Sequence, residues 1–344
     1  MAIKFDPKCI ILAILLFLLW TCTIHATSRT LEEPLSLLQR HEKWMAHHAR
    51  SYKNDVEKAQ RFEIFKQNLE FIESFNSEGT RSYKLGLNRF ADLTHEEFQT
   101  SLLNVDSLLY HLNLFPIGNS NGNGSSNDVP DSLDWREKGA VTQVKNQGNC
   151  LACWAFAVVA AVEGINEIKT GKLVSLSEQH LLDCDPNHFG CNGGVITDAF
   201  QSIEDMGGLS SESDYPYKAS EGTCNTQNSQ ATAATITGFE QVEKTESALL
   251  QAVSGQPVAA GITVGGKEFQ LYSSGVFDGD CGSGSYHAVA VVGYGARNDG
   301  QKYWVIKNSW GTGWGEKGYM KMARDTDEEG GLCGIANDAA YPTA

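Results

Sequence analysis

Cysteine arithmetic limits this chain more than any other feature. Of nine cysteines, Cys9 and Cys22 fall in an N-terminal stretch with the layout of a cleaved secretory signal. Lys4 and Lys8 precede an apolar run from Cys9 to Trp20, and small Ala26 follows a few polar residues later. Spanning a bilayer takes about 20 apolar residues, so the run is too short for an anchor. No later segment is apolar enough to replace it. Residues 1–26 therefore read as a signal peptide, and what remains is expected in a lumen or outside the cell, with no membrane attachment after signal removal. That compartment is oxidising, and seven cysteines remain in it. Six can pair in several connectivities, but the seventh must cross-link another molecule or stay a reactive thiol.

The rest of the composition narrows the function classes. The chain has 344 residues, enough for two or more folded units, and its 41% apolar content can build a real core. Its net charge of −15, with Lys and Arg scattered, excludes the basic patches that nucleic-acid binding needs. A structural zinc site is also excluded by spacing. The single C-x₂-C, Cys150/Cys153, has no second pair.

Along the chain the texture changes once. Up to about residue 112 it is helical: Leu37, Leu38, His41, Trp44, Met45 and His48 recur at helical spacing. Glu57, Arg61, Phe65, Asn68, Ile72 and Asn76 then fall on one stripe of a second helix. A stripe mixing charged, amide and apolar residues suits a face that docks on something. Residues 118–128 form a polar Gly/Ser/Asn tract, read as a flexible, protease-accessible linker. It holds the sequon Asn123-Gly-Ser125, a glycosylation candidate. Beyond it, helices are expected from Cys153 to Thr170, near Ser177 and near Thr197. Strands are expected over Thr235–Val242, Val258–Val264, His287–Tyr294, Tyr303–Lys307 and Tyr319–Ala323. Helices first and strands later give an α+β domain of two lobes with a cleft between them.

Cys153 is the candidate for the unpaired thiol, because it stands where a loop becomes an apolar helix. A helix N-terminus carries about half a positive charge, which stabilises a thiolate. Around it the chain reads Gln147-Gly-Asn-Cys150-Leu-Ala-Cys153-Trp154, with His287 and Asn308 downstream. The stretches Ser177–Cys184, Gly190-Cys-Asn-Gly-Gly194 and Asn308-Ser-Trp-Gly-Thr-Gly-Trp-Gly315 accompany them. In this order the motifs resemble the papain-like cysteine proteases, over essentially the whole chain. The helical stripe and the set Gly86, Asn88, Phe90 and Asp92 are similar to two motifs of that family's inhibitory prosegment.

The resemblance implies a papain-like two-lobe α+β fold, with a helical left lobe and a β-barrel-like right lobe, preceded by an α-helical prodomain. It divides the chain into a propeptide over 27–127 and a peptidase domain over 128–344. It implies a thiol endopeptidase made as a zymogen, with Cys153, His287 and Asn308 catalytic and Gln147 in the oxyanion hole. Trp310 would shield the His–Asn hydrogen bond. The disulfides implied are Cys150–Cys191, Cys184–Cys224 and Cys281–Cys333. Substrate would meet Gly193, Gly194 and Trp310. Val195, Ile196, Gly261 and Ala288 would line the S2 pocket, with Asp338 at its far end, a roomy apolar slot for Leu, Val or Phe at P2. The carboxylate of Asp338 could also pair with Arg at P2. Partners implied are protein and peptide substrates, the chain's own propeptide and cystatin-type inhibitors. Neither metal nor cofactor is implied, and a monomer is the default. Localisation is the secretory pathway, ending in vacuole, lysosome or extracellular space.

Two residues depart from the family pattern. Leu151 fills a position that is usually Gly, which raises the possibility of crowding beside S1. Tyr286 stands where Asn or Asp more often precedes the catalytic His. Leu151 keeps a second reading alive, that of a proteinase-like binding or storage protein without activity. A thiol–disulfide oxidoreductase using Cys150 and Cys153 is disfavoured, since that chemistry expects a thioredoxin-type βαβ context.

Overall fold

The computed structural model describes residues 35–103, 129–186, 190–225, 232–282 and 285–344. The signal peptide, the 118–128 linker, Asn123 and Asp128 lie outside the described residues. Two compact units are distinguished, residues 1–51 and 52–344. In the first, helix α1 (Leu37–His47) starts with a capping box in which Ser36 and Gln39 each accept from the other's backbone N–H. The His41 and Trp44 rings stack along it.

In the second unit α2 (Asp55–Ser77) is capped by Asn54, whose side chain accepts from Glu57 N–H. Its mixed stripe docks on the chain that follows. Arg61 bonds Glu97 at 2.6 Å and the Asp92 carbonyl at 3.0 Å. Asn68 donates to the Ala91 and Leu93 carbonyls, both at 2.9 Å. Asn76 exchanges bonds with the backbone of Leu85, and Phe65 and Ile72 are buried between. Each amide satisfies backbone groups that no regular element would pair, which explains why a surface-like stripe is polar yet buried. Strand β1 (Tyr83–Leu85) and helix α3 (His95–Leu102) belong to this return segment.

The core of the peptidase portion is α4, Cys153–Thr170, with bounds that match the expectation. It is buried on all sides from Cys153 to Ile165. Gly171, at φ 69°, ends it in the left-handed conformation that glycine adopts without strain. Around it lie α5 (Glu178–Cys184), capped by Ser177, and α6 (Ile196–Asp205). A two-stranded sheet, β3 (Leu209–Ser210) with β4 (Thr232–Ala234), completes this lobe.

The other lobe is a sheet built from β2 (Leu133–Asp134), β5 (Gly238–Gln241), β6 (Val258–Thr263), β7 (Tyr272–Phe277), β8 (Tyr286–Ala296), β9 (Lys302–Lys307), β10 (Tyr319–Ala323) and β11 (Asp338–Thr343). Helix α7 (Glu246–Gly255) and the single turn α8 (Lys267–Gln270) interrupt it. Its order is β1-β7-β10-β9-β8-β6-β11-β5, with β2 also on β8. The path does not close, so the barrel-like lobe is an open, curved sheet rather than a barrel. The strand expected over Thr235–Val242 is shortened to β5, because pairing with β11 begins only at Gly238. Its outermost strand at one end, β1, comes from before the linker and pairs antiparallel with β7. Further anchors follow β1: Asn88 donates to the Gln270 carbonyl at 2.8 Å and Arg89 to the Trp310 carbonyl at 2.7 Å.

The amide of Asn68 satisfies two carbonyls at once, so Asn68→Leu should loosen the whole return segment by about 1–3 kcal/mol. The precursor should then lose its N-terminal segment faster at neutral pH, as followed by gel after adding a trace of active enzyme. A lifetime equal to wild type would show that β1 and Asn88 alone hold the segment.

Candidate active site

Cys153 is the first helical residue of α4 and the single unpaired cysteine among the described residues. The cap residue Ala152 offers no side-chain hydrogen bond, so the first N–H groups of the helix are open to an anion. Burial pushes the thiol up to about 11, against the opposing pull of the N–H groups of Ala288, Trp154 and Cys153 itself. His287 is the second residue of β8, and its Nε2–H donates to Asn308 Oδ1 at 2.8 Å. Burial draws the imidazole down to about 4, although the bond to Asn308 favours its charged form. Nδ1 is buried with no hydrogen-bond partner. With Nε2 donating, Nδ1 of the neutral ring is an acceptor. It belongs to the residue next to Ala288, whose N–H reaches the Cys153 sulfur.

The supports of these groups are mostly backbone and aromatic. Trp310 stacks on His287 with centroids 4.5 Å apart and is fully buried. Trp314, Phe269, Phe98 and Phe90 surround it edge-on at 5.0–5.8 Å. Phe90 and Phe98 come from before the linker. The carbonyl of the Gln147 side chain accepts from the Ser309 hydroxyl at 2.6 Å, and the acceptor-only carbonyl of Cys150 fixes which end of the amide is Nε2. Nε2 donates to the Cys150 carbonyl at 3.0 Å, three residues from the sulfur. Tyr217 donates to the Gln147 carbonyl at 2.9 Å. Ser309 and Tyr217 are positioning residues that the sequence reading missed. For Ser309 the place between Asn308 and Trp310 was a usable signal, whereas Tyr217 carried none.

The structure pairs Cys150 with Cys191, Cys184 with Cys224 and Cys281 with Cys333. The first ties the loop before Cys153 to the 3₁₀ turn Gly190–Asn192 that precedes Gly193 and Gly194. Gly194 lies flat against the Trp154 indole, where a Cβ would come within 2.5 Å. Val195 and Ile196 start α6, and Gly261 sits in register with Ala288 on one side and Asp338 on the other. Leu151 donates to the Cys191 carbonyl at 3.2 Å and has an ordinary negative φ. Glycine's conformational freedom is thus not required at that position, which removes the backbone part of the expected crowding. Among the described residues, no group of His, Cys, Asp and Glu could hold a metal.

Behind the site lies a buried charge network. Glu163 of α4 is 1% exposed and accepts from Thr142 Oγ1 at 2.6 Å, Lys145 Nζ at 3.0 Å and Leu176 N–H at 2.9 Å. Lys307 Nζ lies 3.8 Å away on its other oxygen and donates to Thr142. Lys145 also bonds Glu178 at 2.7 Å. Burial alone would raise the Glu163 carboxyl, but Lys145 and Lys307 overcome it and hold it below its ordinary range. Glu178 fares differently: burial, reinforced by Glu163, pushes it up to about 7 despite Lys145.

Comparison with known proteins agrees with this geometry. Residues 129–343 match the model of the papain family of cysteine proteases, and residues 41–98 match that of the cathepsin propeptide inhibitor domain. The chain is 49% identical over 327 residues to the senescence-specific cysteine protease SAG12 of Arabidopsis thaliana, covering 94% of each. It is 48% identical over 346 residues to vignain of Ricinus communis, covering 98% of this chain and 94% of that one. Among solved structures it is similar to a recombinant stem bromelain precursor, with TM-score 0.83, 46% identity, and coverage of 89% of this chain and 98% of that one.

Two expectations follow. With the thiol near 11 and the imidazole near 4, both are neutral between those values, so the precursor's Cys153 should alkylate slowly at pH 7. Its rate should climb about tenfold per pH unit toward pH 10. A flat profile, read by mass spectrometry of iodoacetamide-treated precursor, would mean that the ion pair already exists. Replacement of the buried anion, Glu163→Ala, should cost about 3–5 kcal/mol in urea unfolding because buried Lys307 loses its carboxylate and Lys145 one of its two. Glu163 supplies stability above its ordinary carboxylate range that is lost as pH falls through its depressed value, so the deficit of the variant should shrink in acid.

Proposed function

We propose, for a chain that belongs to the papain family of cysteine proteases, a division of labour among the residues assembled at Cys153. The protein is a thiol endopeptidase made as a zymogen, and its propeptide is its own inhibitor. In the proposed mechanism His287 Nδ1 takes the Cys153 thiol proton and the sulfur attacks the scissile carbonyl carbon. The resulting oxyanion accepts from Cys153 N–H and Gln147 Nε2–H. The imidazolium returns its proton to the leaving amine, which departs and leaves a thioester. Water, deprotonated by the same nitrogen, then releases the acid and restores the thiol. Asn308 holds the ring so that Nδ1 faces the sulfur, and Trp310 keeps water from that hydrogen bond.

One observation carries the reading. A buried histidine has one nitrogen fixed by an amide carbonyl and the other unpartnered, and the residue next to it, Ala288, donates its N–H to the unpaired thiol at a helix start. Maturation is proposed to cut near Asp128 or Val129, giving a monomeric enzyme of the vacuole, lysosome or extracellular space that cystatin-type inhibitors block at the cleft. Gly193, Gly194, Val195, Ile196, Gly261, Ala288 and Trp310 are proposed to contact the peptide.

A thiol-directed epoxide should label Cys153 stoichiometrically in the matured protein, as located by peptide mapping. Cys153→Ala, expressed in a protease-free host, should keep its precursor length at acid pH while wild type shortens. Absence of labelling would favour an inactive, binding homologue. Conversion of the variant at the wild-type rate would show that another protease makes the cut.

A further inference from the structure

The row Ala288–Gly261–Asp338 runs straight across three strands, β8, β6 and β11, on the face that packs against α4. With two positions that carry one carbon or none, it should leave an open slot. The slot is occupied. Tyr286, two residues before Ala288 on β8, is buried and directs its phenol diagonally across the row. A Cβ built on Gly261 would lie 2.3 Å from the Tyr286 hydroxyl, 2.4 Å from Cε2 and 2.5 Å from Cζ. Beyond Gly261 the same hydroxyl donates to Asp338 Oδ2. The ring is thus held at its root by the strand and at its tip by a charge-assisted hydrogen bond. It lies in the hydrophobic cluster that includes Cys153, Trp154, Ala288 and Ile196.

We propose that Tyr286, locked by Asp338 and accommodated by Gly261, is the floor of the pocket for the residue before the scissile one, and that it makes the enzyme select small side chains there. This rests on the proposed placement of substrate along Gly261 and Ala288. It reverses what the residues at 195, 196, 261 and 288 imply by themselves, because the bare backbone of Gly261 makes room for a tyrosine rather than for Leu or Phe of a substrate. It also assigns the Asp338 carboxylate to Tyr286 instead of to an incoming Arg. The phenol stays protonated throughout the working range, since burial and the adjacent Asp338 carboxylate raise it well above its ordinary value. It can therefore serve as a permanent donor. Gly261 and Tyr286 depend on each other: a side chain at 261 would have to displace a ring whose tip is tethered.

The test is kcat/KM for peptides differing only at P2, with Ala, Leu, Phe or Arg, using enzyme matured from the full chain and counted by thiol titration. Wild type should cleave the Ala peptide better than the Phe peptide by about tenfold or more, the scale on which pockets discriminate side-chain size. Tyr286→Ala should reverse that order. Gly261→Val should lower the yield of titratable enzyme, and the same substitution combined with Tyr286→Ala should restore it, a coupling that a ring held elsewhere would not produce. Tyr286→Phe keeps the floor but removes the hydroxyl that binds Asp338 Oδ2, so Arg should gain relative to Leu while Ala still exceeds Phe. A Phe-to-Ala ratio unchanged by Tyr286→Ala would overturn the proposal while leaving the protease reading intact. A matured protein with no thiol-dependent cleavage of any peptide would overturn both.

Discussion

Everything around the Cys153 thiol is referred to one buried anion, Glu163. It lies ten residues into α4 from Cys153, on the same helix, and its ligands come from the loop that leads to Gln147 and from the strand that leads to Asn308. A charge in that position must be satisfied completely or the interior cannot close on it. Satisfying it places Lys145 two residues before Gln147 and Lys307 one residue before Asn308. Cys153, Gln147 and Asn308 thus share a reference point on three segments of the fold. Helix, loop and sheet are positioned by a group that takes no part in the chemistry.

The neutrality of the thiol and imidazole follows from the same enclosure. An ion pair needs either water or convergent dipoles, and burial removes the first. Three backbone N–H groups point at the sulfur and one amide carbonyl faces the imidazole, yet both groups remain on the uncharged side of pH 7. The site is built for charge without yet being charged. In a zymogen that arrangement restrains the thiol by desolvation.

Much of this was legible in the residues themselves, and the parts that were not share a cause. Helix α4 could be read to the residue because its apolar positions run all round it and Lys169 with Gly171 mark its end. The odd cysteine count and the helix start singled out Cys153, and the resemblance to the papain-like proteases supplied His287 and Asn308 as its partners. Strand β1 was invisible: three residues carry no period, and their pairing with β7 is decided some 190 residues later. The polar stripe of α2 signalled docking but not that its target is the backbone of residues 85–97. The role of Glu163 was not legible, because the two lysines that hold it lie far from it along the chain. The Tyr286–Asp338 bond joins residues 52 apart, and neither one's neighbours announce it. Local pattern reports what a segment buries, and only folding reports what it is buried against.

The borrowed strand leaves a mark on the finished enzyme. While β1 is in place, β7 is an interior strand with neighbours on both sides. Gly275 at φ 91° lets the backbone of Ser82 and Tyr83 approach to within 2.4–2.7 Å of where a Cβ would sit. Once the propeptide departs, that notch and a row of backbone groups turn outward together, and the sheet acquires a margin it did not have when it folded. Six residues with a glycine kink make a poor template for stray strands. The scar is therefore tolerable in solution, yet it is shaped to the one ribbon that has been discarded. Folding and working forms of this chain thus differ at an edge of the sheet, so the mature molecule lacks part of the mould in which it was cast.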